Sequence, residues 1–432
     1  MLLKRIYLVN EVFGISTEIL EPSYVDRGAL DHEIRKHLAR DTHIALKGES
    51  KCGKSWLRKR NIPDAIVVQC RNRTNVSDIY IDALSQLGIK LTIEYNKQSA
   101  LRGTLEAVAE GGANLLAKFN FKSTISRDIV QGEKYIAIGH NISDLRYIAE
   151  IINNSGRRLV IEDFHYLSSE QRESFAFDLK ALWDYRTYIV IIGIWAENNL
   201  LLHLNPDLSA RVHELSIFWS TDDLHKVIAL GATYLEILFT DTVAKNIVDV
   251  SFGTVGILQK LIVEFLDQLG ISETQNTLKD LSDVAAFENA AMHYAEQLNA
   301  VYHTFANRVA KGIRTKPKST GIYAHMLAII LEADNNALFK GLPLNDIFLK
   351  ANKREPRITK GNLRLVLKKL DNLQIDDQGR GLILTYDSHA EIVTVVDKQL
   401  LLYRKFATLR WPWEELIAKS ESDDAAYDEE VD

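Results

Sequence analysis

The chain has 432 residues, of which 46% are hydrophobic and 25% charged, and its formal net charge is −6. This length allows roughly two to four domains with their own cores, and the composition excludes a disordered or proline-rich protein. The longest apolar run, Tyr188–Trp195, is too short for a membrane helix, and the N-terminus lacks the features of a secretory signal. Two cysteines, Cys52 and Cys70, are too few for a disulfide framework or a structural zinc finger. We therefore expect a cytoplasmic protein with no membrane partner.

Short apolar runs alternate with amphipathic segments over the first half of the chain, a pattern typical of an α/β fold with a parallel sheet. Buried strands are predicted at 42–48, 64–70, 157–163 and 187–195, with a weaker fifth strand at 212–217. Helices are predicted between them, at 31–38, 54–60, 78–87, 143–153 and 170–185. Residues 89–142 interrupt this pattern with a Gly-Gly pair and a polar stretch, so we interpret them as an insertion.

The second half of the chain reads differently, with helices alone from Asp222 to about Ile313, ending in one long amphipathic helix at 284–310. After a basic connector, helices at 321–331, 344–350 and 360–373 precede two short strands at 382–386 and 392–396. These patterns predict a core at 1–219, a helical lid with connecting helices at 220–313, a third domain at 319–405 and an acidic tail at 406–432.

One segment matches the phosphate-loop pattern G-x-x-x-x-G-K-[ST] in full, with an apolar strand before it and a helix predicted to begin at Lys54. Glycines allow a tight turn whose backbone N–H groups surround phosphate oxygens, and the helix N-terminus adds partial positive charge. We expect Lys54 to reach the β- and γ-phosphates of ATP and the Ser55 hydroxyl to bind Mg²⁺. The predicted phosphate-binding residues are Gly48, Glu49, Ser50, Lys51, Cys52, Gly53, Lys54, Ser55 and Trp56.

A second segment, 157–168, supplies the apolar strand ending in carboxylates that such a site needs. By position, Glu162 is predicted to hold Mg²⁺ and Asp163 to position the attacking water. This order reverses the commoner Asp-Glu, and each side chain differs from the usual one by a methylene group. The alternative, in which both acids only cap the turn after the strand, therefore stays open. His165 is interpreted as a packing residue beside the site rather than a catalyst.

Together these segments resemble the AAA+ and related STAND ATPases, in particular the origin-recognition, TniB and ExeA-like branch, over about residues 20–265. Residues 22–34 resemble the box that packs on adenine, which implies a nucleotide-binding role for Tyr24, Val25 and Arg27, although Asp26 replaces the usual glycine. Residues 191–217 resemble the fourth strand and the arginine box. The resemblance implies that Arg211 reaches the γ-phosphate of a neighbouring subunit; an ordinary surface or intrachain arginine is the alternative.

The chain departs from this family at both γ-phosphate sensors. The fourth strand ends without the usual Asn or Thr, leaving Glu197 or Asn198 as weak substitutes, and Gly256 stands where the lid arginine is expected. Both departures imply a slow ATPase that acts as a nucleotide-dependent, oligomerising switch rather than as a motor. The alternative is a non-catalytic scaffold that holds nucleotide.

Charge is unevenly distributed along the chain. Residues 311–369 hold thirteen Lys/Arg against four Asp/Glu, whereas residues 420–432 hold seven acids and no base. Three helices followed by a hairpin is the order of a winged helix, so the predicted fold is a P-loop α/β core with a helical lid and a winged-helix (α+β) domain. Such a domain binds nucleic acid through phosphate contacts or docks an effector protein, and both interpretations stay open. The candidate nucleic-acid residues are Lys353, Arg354, Arg357, Lys360, Arg364, Lys368 and Arg380.

Overall fold

The computed structural model describes residues 5–27, 29–94, 102–108, 127–130, 133–137, 142–195, 198–312, 320–374, 382–409, 411, 413 and 417. Within these residues, no helix combines the length and the apolarity needed to cross a bilayer. The chain forms two units. The sheet unit comprises Gly28–Gly48 and Lys54–Ile217, and the helical unit comprises Met1–Arg27, Glu49–Gly53 and Phe218–Asp432.

The α-helices are, in chain order, α1 (Val9–Val12), α2 (Leu30–Leu38), α3 (Lys54–Asn61), α4 (Val76–Ser85), α5 (Leu145–Asn154), α6 (Ser169–Asp184), α7 (Leu200–Leu204), α8 (Thr221–Leu235), α9 (Asp241–Val250), α10 (Val255–Gln268), α11 (Val284–Gln297), α12 (Asn299–Lys311), α13 (Ile322–Glu332), α14 (Asn335–Lys340), α15 (Leu344–Arg354), α16 (Lys360–Leu367), α17 (Leu370–Gln374) and α18 (Gln399–Phe406).

The strands are, in chain order, β1 (His43–Gly48), β2 (Ile66–Gln69), β3 (Ile89–Glu94), β4 (Arg102–Val108), β5 (Arg127–Val130), β6 (Glu133–Ala137), β7 (Leu159–Glu162), β8 (Val190–Gly193), β9 (Val212–Ile217), β10 (Ile237–Phe239), β11 (Lys279–Leu281), β12 (Leu342–Pro343), β13 (Leu384–Asp387) and β14 (Ile392–Val395).

A five-stranded parallel sheet in the order β2-β7-β8-β1-β9 forms the centre of the sheet unit. Its strands come from the apolar runs because both faces are covered, as the full burial of Ile44, Ile161 and Ile191 shows. This architecture confirms the predicted α/β fold class, with the phosphate-loop motif directly after β1. Parallel strands place all their carboxyl ends at one edge, so Gly48 at the end of β1 and Glu162 at the end of β7 share that edge.

The segment predicted to be an insertion contains a sheet of its own. Strands β3 to β6 pair antiparallel in the order β3-β4-β6-β5, and none of these described strands pairs with the parallel sheet. The parallel sheet is therefore built from segments on either side of this part of the chain.

The helical unit has one continuous core, to which α1 and the helices from α8 to α18 contribute. Helices α13, α15 and α16 and the antiparallel sheet β12-β14-β13 include the three helices and two strands predicted after the connector. On α16 and just beyond it, four apolar residues at helical spacing are buried: Leu363, Val366, Leu367 and Leu370.

Two predicted helices are shorter than the sequence suggested. The amphipathic run at 284–310 is divided at Leu298, which ends α11 and precedes α12, and the helix predicted to reach 373 ends at Leu367 before the short α17. An uninterrupted apolar period does not reveal a break in a helix, because the pieces on either side of the break keep their apolar faces on the same core. Arg380, Glu197 and the acid-rich stretch 420–432 lie outside the described residues.

Candidate functional site

The phosphate-loop residues 49–53 make a tight turn with two left-handed residues. Lys51 has a φ of 59° and Gly53 a φ of 88°. The glycine takes this conformation without strain, whereas a residue with a Cβ rarely adopts it. A Cβ at Gly53 would also lie 3.3 Å from Nη1 of Arg27. The second glycine of the motif is therefore required both by backbone conformation and by a close side-chain neighbour.

Two consecutive carbonyl groups of the loop are bonded by groups of the helical unit. The Gly256 N–H donates to the Lys51 carbonyl at 3.0 Å. The Cys52 carbonyl accepts two bonds, from Nη1 of Arg27 at 3.1 Å and from Nε1 of Trp219 at 3.0 Å. The Arg27 guanidinium in turn lies 4.2 Å from the centre of the Trp219 ring, within cation–π distance.

These bonds determine which way the loop amides point. In a planar trans peptide the C=O and the following N–H have opposite directions. Because the Lys51 and Cys52 carbonyls point to their donors, the N–H groups of Cys52 and Gly53 point the opposite way. Successive amides oriented like this form an anion-binding concavity. The Cys52 side chain is 2% exposed, so the backbone of this residue, not its thiol, is the group suited to bind phosphate.

Close approach also explains the glycine at position 256, in the first turn of α10. A Cβ built there would lie 2.6 Å from Cβ of Lys51 and 2.9 Å from its carbonyl oxygen. An arginine at this position would therefore collide with the phosphate loop. This packing therefore requires a glycine at position 256.

In the sheet unit, the Lys54 ammonium donates to the Gly48 carbonyl at 2.9 Å, so the lysine side chain turns back over the start of its own motif. Ser55, the second residue of α3, is exposed, and Trp56 after it is half-buried. Position and chemistry are thus those expected of a phosphate-binding lysine and a metal-binding hydroxyl at a helix N-terminus.

The two acids at the end of β7 have different partners. Glu162, the last residue of β7, accepts a bond from Nε of Arg58 at 3.1 Å, and both side chains are largely buried. Asp163 has a φ of 57° and accepts from Nε2 of Gln69 at 3.0 Å. Asp is among the non-glycine residues that adopt this left-handed conformation most readily. The acids face different surroundings, which is consistent with two different roles.

His165 lies just after these acids, in a 3₁₀ turn at Phe164–Tyr166. Desolvation lowers the pKa of its ring to about 4, against a smaller opposing effect of Asp163, and Lys54 lowers it further. Its Nδ1 has no hydrogen-bond partner among the described residues. The ring is therefore neutral at pH 7 and packs against Tyr166, with centroids 4.3 Å apart.

Arg211 contacts its own chain. Its guanidinium lies 4.8 Å from the centre of the Trp183 ring, and Nη1 donates to the Asp207 carbonyl. In the segment after β8, Asn198 accepts from Nζ of Lys47 at 3.0 Å. Trp195 is 7% exposed, and its Nε1 donates to Glu214.

The candidate nucleic-acid residues divide into paired arginines and exposed lysines. Arg354 bonds to Glu332, Arg357 forms a two-point contact with Glu355, and Arg364 lies 2.5 Å from Glu391. Each of these carboxylates partly neutralises its arginine. Lys353 and Lys368 are exposed and form no such ion pair among the described residues. Lys360 is half-buried and donates to Asn345.

Sequence reasoning missed Trp219 and Lys398, both of which contact the phosphate loop. Lys398, which precedes α18, lies 2.7 Å from Glu49 of the loop. Nothing local in the sequence marks either residue, since each is separated from the loop by more than 150 positions. The Arg27 contact was predicted only as part of a box attributed to adenine, not as a bond to the loop backbone.

The chain was compared with protein families, curated proteins and solved structures, and only solved structures resemble it. No protein-family model matches the chain, and no curated protein matches it. Solved structures that resemble it include the Aeropyrum pernix Orc1 protein in complex with DNA, at 10% identity over 94% of this chain and 98% of that one, with a TM-score of 0.38. A STAND protein with a tetratricopeptide-repeat sensor from Pyrococcus horikoshii matches at 12% identity, over 95% of this chain and 45% of that one, with a TM-score of 0.37. The Thermotoga maritima RuvB branch-migration motor matches at 12% identity, over 76% and 84%, with a TM-score of 0.33. Matches this distant assign no residue and no activity to the chain.

Proposed function

We propose that this chain is an ATP-binding, slowly hydrolysing AAA+/STAND-like switch that assembles with nucleotide. The observation that carries the proposal is the phosphate loop, a complete motif after a central parallel strand. Its Lys51 and Cys52 carbonyls are held by Gly256, Arg27 and Trp219, so that the amides after them are preorganised for phosphate. Preorganised amides bind anions without further ordering of the backbone.

The residues present fit a magnesium ion at the nucleotide. Mg²⁺ prefers oxygen ligands, and the Ser55 hydroxyl and the Glu162 carboxylate supply them at the start of α3 and the end of β7. Bound with ATP, the ion would neutralise charge on the β- and γ-phosphates. Asp163, next to Glu162 but bonded to Gln69, is the group we assign to orienting the attacking water.

Several contacts favour slow turnover. Arg58 already occupies one oxygen of Glu162, so metal binding has to compete with this ion pair. Gly256 leaves no room for a lid arginine, and Arg211 is engaged with Trp183 and Asp207 of its own chain. For Arg211 to complete a neighbour's site, as we propose, it must first leave these partners. Assembly and hydrolysis would then be linked.

We assign to the C-terminal part of the chain the binding of nucleic acid or of an effector protein. Lys398 connects this part to Glu49 in the phosphate loop, which provides a direct route by which phosphate charge affects α18. We assign a winged-helix role to α13–α16 and β12–β14, with the exposed Lys353 and Lys368 contacting nucleic-acid phosphates. Two exposed leucines, Leu349 on α15 and Leu365 on α16, at 60% exposure each, favour the alternative in which this region docks an effector protein.

A second candidate function is a non-catalytic scaffold that holds ATP or ADP. The ion pair between Arg58 and Glu162 favours it, because an occupied carboxylate is a poor metal ligand. A measurement of ATP turnover distinguishes the scaffold from the switch, because a scaffold retains bound ATP whereas a switch converts it to ADP.

The test compares ATP binding, ATP turnover and solution mass in the same variants. Lys54→Ala should abolish ATP binding, whereas Arg60→Ala, an exposed position on the same helix, should leave it intact. Glu162→Gln and Asp163→Asn should bind ATP but fail to hydrolyse it. Mass measured with ADP, ATP and duplex DNA tests nucleotide-driven assembly. Unchanged ATP affinity in Lys54→Ala would overturn the site, and normal hydrolysis by Asp163→Asn would overturn its assigned role.

A further inference from the structure

Away from the nucleotide residues, the sheet unit brings two histidines and a glutamate together. Glu33 and His37 are four residues apart on α2, so their side chains share one face of the helix. His213 is the second residue of β9. One ligand atom from each of the three side chains lies within 4.8 Å of the other two.

The central histidine of this cluster has an unmet bonding requirement. His37 is 5% exposed, and its Nδ1 has no hydrogen-bond partner among the described residues. A buried polar atom without a partner is destabilising, so it needs an explanation. A bound cation is one partner that would satisfy such a nitrogen.

The rings of the two histidines lie face to face. The His37 and His213 rings stack with centroids 3.5 Å apart and an interplanar angle of 12°. Two protonated rings would repel at this distance, so the arrangement requires at least one neutral imidazole. The adjacent Glu33 carboxylate is exposed, which gives the cluster an opening to solvent.

We propose that Glu33, His37 and His213 bind one zinc ion, with a fourth position open to water or another exchangeable ligand. Two imidazole nitrogens and a carboxylate oxygen form a donor set that zinc accepts in sites with three protein ligands. A nitrogen lone pair of each imidazole must point at the same ion, so binding requires the stacked His37 and His213 rings to rotate away from each other. The bound ion would connect α2 to β9, the strand that pairs with β1 along its whole length. Zinc would therefore stabilise the edge of the parallel sheet.

The experiment uses the full-length chain, freed of metal with a chelator and kept without nucleotide. It is titrated with Co²⁺, whose visible absorption reports its ligand geometry, and with Zn²⁺ in competition with a chromogenic chelator. We expect the wild-type chain to bind a single high-affinity equivalent. His37→Ala and His213→Ala should lose it, and Glu33→Gln should bind it at least tenfold more weakly.

The matched control is His32→Ala, an exposed histidine on the same helix, which should keep the wild-type affinity. Far-ultraviolet circular dichroism checks folding of every variant. Glu33→Gln, at an exposed position, keeps the test valid if His37→Ala fails to fold. The proposal is overturned if the wild-type chain binds no zinc, if both histidine variants still bind it, or if Glu33→Gln matches the wild type.

Discussion

Nζ of Lys398 lies 2.7 Å from Oε1 of Glu49, joining the residue before α18 to the second residue of the phosphate-loop motif. The Lys398 side chain is 14% exposed, and its ammonium lies 4.9 Å from the centre of the Phe339 ring. At the proposed nucleotide site, a carboxylate would repel ATP unless its charge is compensated. The ion pair therefore compensates the charge of Glu49 and attaches the C-terminal segment to the loop.

From this contact we predict that Lys398→Ala weakens ATP binding about fivefold, because Glu49 then faces the phosphates with its charge uncompensated; a partly exposed pair contributes about 1 kcal/mol. Adding Glu49→Gln to Lys398→Ala should restore most of the affinity, since it removes the repelling charge. Lys405→Ala, an exposed lysine on α18, is the control. Calorimetric titration with a non-hydrolysable ATP analogue measures all four proteins. A double variant as weak as Lys398→Ala would contradict this explanation.

The close approach of α10 to the loop predicts a specific effect of Gly256→Ala. Alanine normally stabilises a helix relative to glycine by about 1 kcal/mol. Here its Cβ would displace the Lys51 backbone and rotate the adjacent amides, so ATP affinity should fall at least tenfold without a gain in stability. Gly361→Ala is the matched control, because a Cβ on this residue of α16 meets nothing within 4 Å. Equal ATP affinity in both variants would show that the contact does not shape the loop.

In the C-terminal part, removing an exposed lysine and removing the carboxylate partner of an arginine should have opposite effects on nucleic-acid binding. Lys353→Ala and Lys368→Ala should weaken binding to a labelled duplex whatever its sequence. The slope of the logarithm of the binding constant against the logarithm of salt concentration should become shallower by about 0.9 for each phosphate that the variant no longer neutralises. Glu391→Gln should strengthen binding, because it releases Arg364 from its ion pair. Fluorescence anisotropy over a salt series gives both quantities. If the charge changes leave anisotropy unchanged, the region does not bind nucleic acid, and effector docking becomes the preferred interpretation.

His43 predicts how stability changes with pH. It is fully buried in β1, where its Nδ1 accepts from the Ile189 N–H and its Nε2 donates to the Leu179 carbonyl, both at 2.9 Å. Those partners require the neutral ring, and desolvation lowers its pKa to about 4, with a bond to Leu179 opposing and Arg158 assisting this shift.

The unfolded chain, with an ordinary histidine pKa near 6.5, binds this proton more readily than the folded chain does. The stability contributed by neutral His43 is therefore complete above about pH 6.5 and is lost as the pH falls towards 4, by up to roughly 3 kcal/mol. Thermal melts between pH 7 and pH 4.5 should show a smaller fall in apparent Tm for His43→Gln than for the wild type. His203→Gln, at an exposed position of the sheet unit, should behave like the wild type. Identical pH profiles in all three proteins would contradict the prediction.

The sequence pattern of a single segment was sufficient to predict the strands and the phosphate-loop motif. The apolar runs predicted all five parallel strands, with β9 matching residue for residue, and the phosphate motif was complete within eight positions. The helix boundaries were less accurate: α4 begins at Val76, where the Asn75 side chain caps the first turn, rather than at Asp78. The break at Leu298 was missed because both helices bury the same kind of residue.

By itself, the sequence determined the α/β class, the position of the phosphate-loop motif and the two acids at the end of β7, because strand burial and loop chemistry depend on neighbouring residues. Only the tertiary structure decided what holds the loop: Trp219, Gly256 and Lys398 reach it from distant positions. Tertiary contacts likewise paired Arg364 with Glu391 and placed His213 against His37. Contacts of this kind leave no periodic signal, since they depend on the packing of segments far apart in the chain.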